Sequence, residues 1–167
     1  GFILFNFEII YLLRDLKLIA WTTLIFGILM YYSDRKLEHK NIDDNLNIKN
    51  ILIIGLYQVL ALIPGVSRSG IVITTCRFFK FTRVDSLKIS FYLSIPALAG
   101  ASILGFKNLS EKSFELNLFI FISIFLSFVF SFLTIKFLLF YFKKFSLNLF
   151  VYYRIILSIL LFLVAYR

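Results

Sequence analysis

The sequence predicts an all-α, polytopic membrane helix bundle with one re-entrant helix pair. Three observations carry that prediction. Of 167 residues, 60% are hydrophobic, and the mean hydropathy of +0.92 excludes an ordinary soluble domain. Apolar runs long enough to cross a bilayer alternate with short basic loops. One apolar run is broken at Pro64-Gly65-Val66-Ser67-Arg68-Ser69-Gly70, which puts polar groups where hydrocarbon depth is expected.

Composition narrows the partners. The net charge is +9. In a soluble domain that excess would suggest nucleic acid. Here the basic residues sit between apolar spans instead of on one soluble face, so they fit positive-inside loops and anionic or phosphorylated lipid. Nucleic acid is excluded as a partner on that ground. The single cysteine, Cys76, permits no intrachain disulfide and is expected to pack.

The elements follow in order. Gly1 to Leu13 is apolar but too short to span, and Glu8 interrupts it. Leu16 to Tyr32 is a span of minimum length. Ser33 to Lys49 reads as a polar loop with a solvated His39. Ile48 to Ile63 is a short apolar helix ending at Pro64, with a second piece from about Ser67 to Phe79. Each is short for a crossing, so the pair reads as a re-entrant hairpin, with two tilted full spans as the alternative. Arg77 to Lys88 reads as a basic loop. Ile89 to Phe106 is a span containing Pro96, followed by small residues that permit close helix approach. Lys107 to Phe114 is a polar turn, Leu116 to Phe142 a long Phe-rich span, and Leu149 to Tyr166 the last span, with Arg154 one turn in.

Charge tests the order of crossings. Loops at 33–49, 77–88 and 141–148 hold most of the Lys and Arg, and a hairpin over 50–80 puts all three on one face. The other face keeps mainly Arg14, Lys107, Lys112 and Arg167. The positive-inside rule makes the first face cytoplasmic.

The break is suited to an anion. Ser67 is a good N-cap for the second short helix. The backbone N–H groups of Arg68, Ser69, Gly70 and Ile71 are expected to point outward unpaired, and the helix dipole favours negative charge there. Gly65 and Gly70 permit close backbone approach. Arg68 adds a planar fork that fits two phosphate oxygens. Each residue also has a plainer role. Arg68 could instead pair with a carboxylate in the bundle, and Ser67 could be a cap alone or a nucleophile. Ser69 reads as a ligand or hydrogen-bonder. Gln58 is expected to make a polar contact between helices; Glu8, Pro96, Thr74 and Thr75 read as structural.

The run from Gln58 to Gly70 resembles the second signature of the undecaprenyl pyrophosphate phosphatase family, also called bacitracin resistance proteins, which reads P-G-x-S-R-S-x-x-T. Arg83, the Ser90-Phe91 pair and the Leu-Ser-Ile-Pro96 run are similar to the family's next helix. The resemblance implies a membrane hydrolase that cleaves the terminal phosphate from a polyprenyl pyrophosphate carrier lipid, for recycling in peptidoglycan and cell-wall synthesis. It also implies bacitracin resistance, a multi-pass location in the bacterial inner (plasma) membrane, a divalent metal (Mg or Ca), and a fold with inverted repeats. Carried over, Ser67 and Arg68 would be catalytic, and Gly65, Ser67, Arg68, Ser69 and Gly70 would bind substrate. A homodimer is the candidate assembly.

Two positions depart from the pattern. The signature's closing threonine falls at Val72. The family's E-x-x-x-E signature belongs to its N-terminal half, and Glu8 has Leu12 four residues on. The expectation is therefore a single membrane domain over 1–167 that lacks the N-terminal half, with no metal ligands of its own and no turnover alone. The rival reading is a non-catalytic protein that binds or transports an anionic lipid through the same broken helix.

Overall fold

The computed structural model describes residues 15–38, 40–110 and 118–166. The readings made on Gly1 to Leu13, Glu8, Arg14, His39, Lys112 and Arg167 lie outside the described residues, as does the part of the polar turn from 111 to 114. Everything described is helix or short connection: α1 (Leu16–Asp34), α2 (Ile42–Asn45), α3 (Ile48–Gln58) continued by a 3₁₀ turn (Val59–Leu62), α4 (Arg68–Phe78), α5 (Arg83–Ser110), α6 (Leu118–Lys144) and α7 (Asn148–Ala165). Four of these, α1, α5, α6 and α7, are long and apolar enough to cross a membrane. The all-helical membrane bundle is as the sequence predicts.

Local chemistry sets the helix starts. Asp15 caps α1 by accepting from Lys17 N–H, Asn47 caps α3 by accepting from Asn50 N–H, and Ser67 caps α4 by accepting from Gly70 N–H. Thr82 Oγ1 accepts from Asp85 N–H at the start of α5. α4 ends where Lys80 takes a left-handed turn (φ 69°) and Phe81 N–H reaches back to Cys76 C=O at 3.1 Å. Pro96 lies inside α5, which continues through it.

The broken pair is a hairpin held at depth. Its two ends are tied by a single backbone bridge: Lys40 N–H donates to Lys80 C=O and Thr82 N–H to Lys40 C=O, both at 3.1 Å. The chain therefore leaves on the side it entered. The turn does not reach past α1 but docks against its flank, where Thr22 Oγ1 donates to Pro64 C=O at 2.7 Å. α4 then runs beside α1 for its 11 residues, about 16 Å, far less than a ~30 Å hydrocarbon core. Those two facts favour the re-entrant reading over two full spans.

α1 packs on α4 and, most extensively, on α7, while α4 also packs on α3 and α5. One core cluster gathers Ile54, Val66, Val72, Cys76 and Phe81 around the hairpin; a second gathers Met30, Ile73, Leu87, Phe142 and Val151 between α4, α5 and α7. Cys76 is fully buried, as expected of a packing residue. Val72 is core as well, so the signature's threonine position points away from solvent here. α6 is different: its apolar side chains, mostly Phe and Leu, face outward along its length.

Two loops expected from sequence are corrected. The basic loop at Arg77 to Lys88 shrinks to Phe79–Thr82, because α4 runs through Phe78 and α5 starts at Arg83. Arg77 is fully buried, not solvated. Its guanidinium donates to the carbonyls of Phe81 (2.7 Å), Asp34 (2.9 Å) and Lys36 (2.8 Å) and lies 3.1 Å from the Glu38 carboxylate. The polar loop at Ser33 to Lys49 likewise loses its first two residues to α1, and Ser33 and Asp34 are buried. Asp34 accepts from Arg83 Nε (2.7 Å) and from Leu147 N–H (3.0 Å), and sits 3.5 Å from Arg77 Nε. One carboxylate thus fastens α4, α5 and the α6–α7 turn to the end of α1. The ion pairs draw in residues that composition alone assigns to solvent.

Candidate functional site

The site is built at the first turn of α4. Gly65 takes φ +87°, a left-handed conformation that only glycine enters freely, and turns the chain from the 3₁₀ segment toward Ser67. A Cβ there would lie 2.7 Å from Ile19 C=O of α1. The close approach that Gly65 permits is therefore to α1. Val66 is buried beneath the turn.

Ser67 Oγ accepts from Gly70 N–H at 3.1 Å and lies 3.3 Å from Ser69 Oγ. Ile71 N–H donates to Ser67 C=O at 2.9 Å. Two of the four N–H groups expected to be free are thus already paired, because the cap and the first helical bond take them. Arg68 and Ser69 N–H remain without a hydrogen bond among the described residues. Arg68 is half-buried and makes no ion pair among the described residues, so the alternative of an internal salt bridge is not what forms. Among the described residues no carboxylate or imidazole lines the cavities around Ser67. Gln58, at the end of α3, makes no hydrogen bond among the described residues, so the polar contact expected there is not formed.

The residue the sequence reading passed over is Arg154 of α7. It is 8% exposed and makes no hydrogen bond or ion pair among the described residues. Two glycines admit it. A Cβ on Gly27 of α1 would stand 3.3 Å from Arg154 Cβ, and a Cβ on Gly70 would stand 3.1 Å from its Nη2. Its guanidinium therefore reaches the N-terminus of α4, where Ser67 and Gly70 already are. The signal was present: a lone arginine inside an apolar span is a functional candidate by default. The sequence reading placed it one turn into the last span and assigned it no role.

Three cavities surround this turn. One of 210 Å³ carries Ser67, Ser69, Gly70 and Arg154 at one end and side chains such as Phe91, Phe142 and Phe150 along its walls. One of 330 Å³ lies between α1 and α7, with Thr23, Gly65, Ser67 and Arg154. One of 240 Å³ holds Arg68, Ser69, Ser90 and Ser94. A larger groove of 460 Å³ between α1, α3 and α4 is almost wholly apolar and lined by none of the candidate residues. The polar arrangement offers hydroxyls, N–H groups and two guanidinium groups. It can hold an anion with several oxygens. It does not fit a divalent cation, which needs carboxylate or carbonyl oxygens and would be repelled by the arginines. Among the described residues no cluster of metal-ligating side chains occurs anywhere.

Comparison with known proteins agrees with this geometry. Residues 1–160 match the family described as bacitracin resistance protein BacA. A protein of Pelagibacter ubique named undecaprenyl-diphosphatase is 58% identical over 99% of this chain and 65% of its own length. One of the same name from Elusimicrobium minutum is 40% identical over 78% of this chain and 49% of its own. One from Teredinibacter turnerae is 46% identical over 58% of this chain and 36% of its own. The chain thus spans 65% of the length of the Pelagibacter relative and about half of the Elusimicrobium one, 49%. A signature around Pro64, set at the turn of a helical hairpin, and a match over 160 residues converge: the chain belongs to the BacA family of bacitracin resistance proteins.

Proposed function

We propose that this chain supplies the phosphate-gripping part of an undecaprenyl-diphosphatase. Its substrate would be a polyprenyl pyrophosphate, hydrolysed to the monophosphate in the bacterial inner membrane so that the carrier lipid returns to wall synthesis. The observation that carries the reading is Arg154: a buried arginine with no partner among the described residues, its Nη2 beside a helix N-terminus that already bears a capping serine. An uncompensated charge at that depth is stabilised by a bound anion. The apolar walls of the adjoining cavity suit the start of a hydrocarbon tail.

In the proposed reaction a water oxygen bonds to the terminal phosphorus. The bridging P–O bond breaks with its electron pair on the departing lipid monophosphate, and inorganic phosphate is released. Arg68 and the N–H groups of Arg68 and Ser69 would neutralise the charge that builds on the phosphoryl oxygens. Ser67 would hold the substrate as a hydrogen-bonding hydroxyl. No base stands beside it among the described residues, and its oxygen accepts from Gly70 N–H as the helix cap. Gly65 and Gly70 would shape the turn and admit Arg154. A base and the donors for a divalent cation, Mg or Ca, would have to come from outside the described residues. Pairing as a homodimer belongs to the same proposal, since α6 offers a long uncovered apolar surface.

Phosphate release from farnesyl diphosphate tests the reading. Purified chain alone is expected to release none. The chain co-expressed with the part of the Pelagibacter relative that it does not match is expected to turn over, and Arg68→Ala in that pair to lose at least ~100-fold. Binding of the lipid by the pair without hydrolysis would replace the enzyme with a lipid-binding or transport protein.

A further inference from the structure

We infer that the first turn of α4 is a two-compartment site that splits a lipid diphosphate, with Ser90 of α5 as a further phosphate ligand. The phosphate that bears the tail is held on the Arg154 side, and the terminal phosphate on the Arg68 side. This rests on the diphosphatase reading above and adds to it where each phosphate sits.

The two compartments are the 210 Å³ and 240 Å³ cavities. Ser69 and Phe91 line both, so the cavities meet across one turn of helix. Each has its own guanidinium: Arg154 in the first, Arg68 in the second. A monophosphate needs one such compartment; a diphosphate, with two groups of oxygens around one bridging atom, uses both. The walls decide the orientation. The first compartment is mostly apolar beyond its polar end and accepts the beginning of a tail. The second is smaller in apolar wall, and four of its six lining residues are serine or arginine.

Ser90 is singled out by what it does not do. Ser86, Ser90 and Ser94 recur every fourth residue along one face of α5. A helical serine usually returns its hydroxyl to a carbonyl one turn back. Ser86 does so to Thr82 C=O at 2.8 Å, and Ser94 to Phe91 C=O at 2.6 Å. Ser90 is only 3% exposed and makes no hydrogen bond among the described residues, yet it borders the cavity that holds Arg68. A hydroxyl of a largely buried residue that opens only onto this cavity and is unbonded among the described residues, beside an arginine with no carboxylate among them, points to an acceptor supplied by a ligand. A phosphate oxygen satisfies both.

The test is calorimetric titration of the whole chain in detergent micelles with farnesyl diphosphate, farnesyl monophosphate and farnesol. Wild type is expected to bind the diphosphate about tenfold tighter than the monophosphate. Ser90→Ala and Arg68→Gln should each weaken the diphosphate by about tenfold and leave the monophosphate within about twofold. Arg154→Gln should weaken both ligands. Arg68 is half-buried, so its variant reads the second compartment without disturbing a packed core. If Ser90→Ala and Arg68→Gln weaken both phosphates equally, or neither, the split is wrong while phosphate binding stands. If wild type does not distinguish either phosphate from farnesol, the diphosphatase reading falls with it.

Discussion

An arginine inside a membrane protein with no anion beside it raises the free energy of the folded state. A charge at the centre of a span costs at least ~2.5–3.5 kcal/mol on insertion scales. Arg154 carries that cost, since no carboxylate of the described chain reaches it. Such a residue persists because something else gains by it, which is the usual relation between strain and function. Arg154→Leu should therefore raise the thermal unfolding midpoint in detergent while weakening farnesyl diphosphate binding by tenfold or more. Fluorescence of the single tryptophan, Trp21, which packs edge-on against Phe162 of α7 at 5.0 Å, reports the first; titration reports the second. A drop in both would make Arg154 a structural residue. The sequence reading singled out Ser67, Arg68 and Ser69 as candidates because a Pro-Gly break with hydroxyls after it has a local mechanism. Arg154 was not legible in the same way. Its meaning comes from Gly27 and Gly70, two positions distant in sequence that open a path for its side chain.

The elements depend on a second set of charges, at the far end of α4 from the site. Asp34 has a 5% exposed side chain between Arg83 and the fully buried Arg77, and it also takes the N–H of Leu147. α7 has no side-chain N-cap of its own, so this carboxylate does that work from another helix. Removing one member of a buried ion cluster leaves its partners uncompensated, at a cost of ~3–5 kcal/mol. Asp34→Ala should lower the unfolding midpoint more than Thr22→Val, which loses a single hydrogen bond to Pro64 C=O worth about 1 kcal/mol. An unchanged midpoint in Asp34→Ala would mean that the helix ends are held by apolar packing alone. Hydropathy located α1, α6 and α7 to within two residues at each end, because length and apolar content are properties of contiguous sequence, but it started α5 six residues late, at Ile89 instead of Arg83. It misread Arg77 as a loop residue because charge near a helix end reads as solvated until its partners, here Asp34 and Glu38, are known. The sequence reading likewise left Arg68 to Ile71 with four free N–H groups, although the cap at Ser67 had to consume one of them.

At the scale of the molecule, the ion cluster and the hairpin bridge fix which loops share a face. Asp34 joins the end of α1 to Arg83 at the start of α5 and to Leu147 between α6 and α7. The Lys40–Phe81 bridge adds both ends of the hairpin to the same level. Arg35, Lys36, Lys40, Lys80, Lys143 and Lys144 therefore gather at one end of the bundle, and Ser67 lies inward from them by roughly the ~16 Å length of α4. Loop charge of one sign on one side orients a polytopic chain with that side toward the cytoplasm. The native Cys76 is fully buried, so single cysteines introduced at Lys36, Lys80 and Lys144 can be read separately from it. In intact cells a membrane-impermeant maleimide should label none of the three, and permeabilisation should expose all of them. A cysteine at Lys17, at the opposite end of α1, should react from outside. Labelling of Lys36 and Lys80 cysteines from opposite sides would make the 48–78 segment a net crossing, and the proposed phosphate site could not then lie at the tip of a hairpin. Labelling of all three loop positions from outside would keep the hairpin but reverse the bundle, so that the basic rim faced the exterior and the Ser67 turn was approached from the cytoplasm.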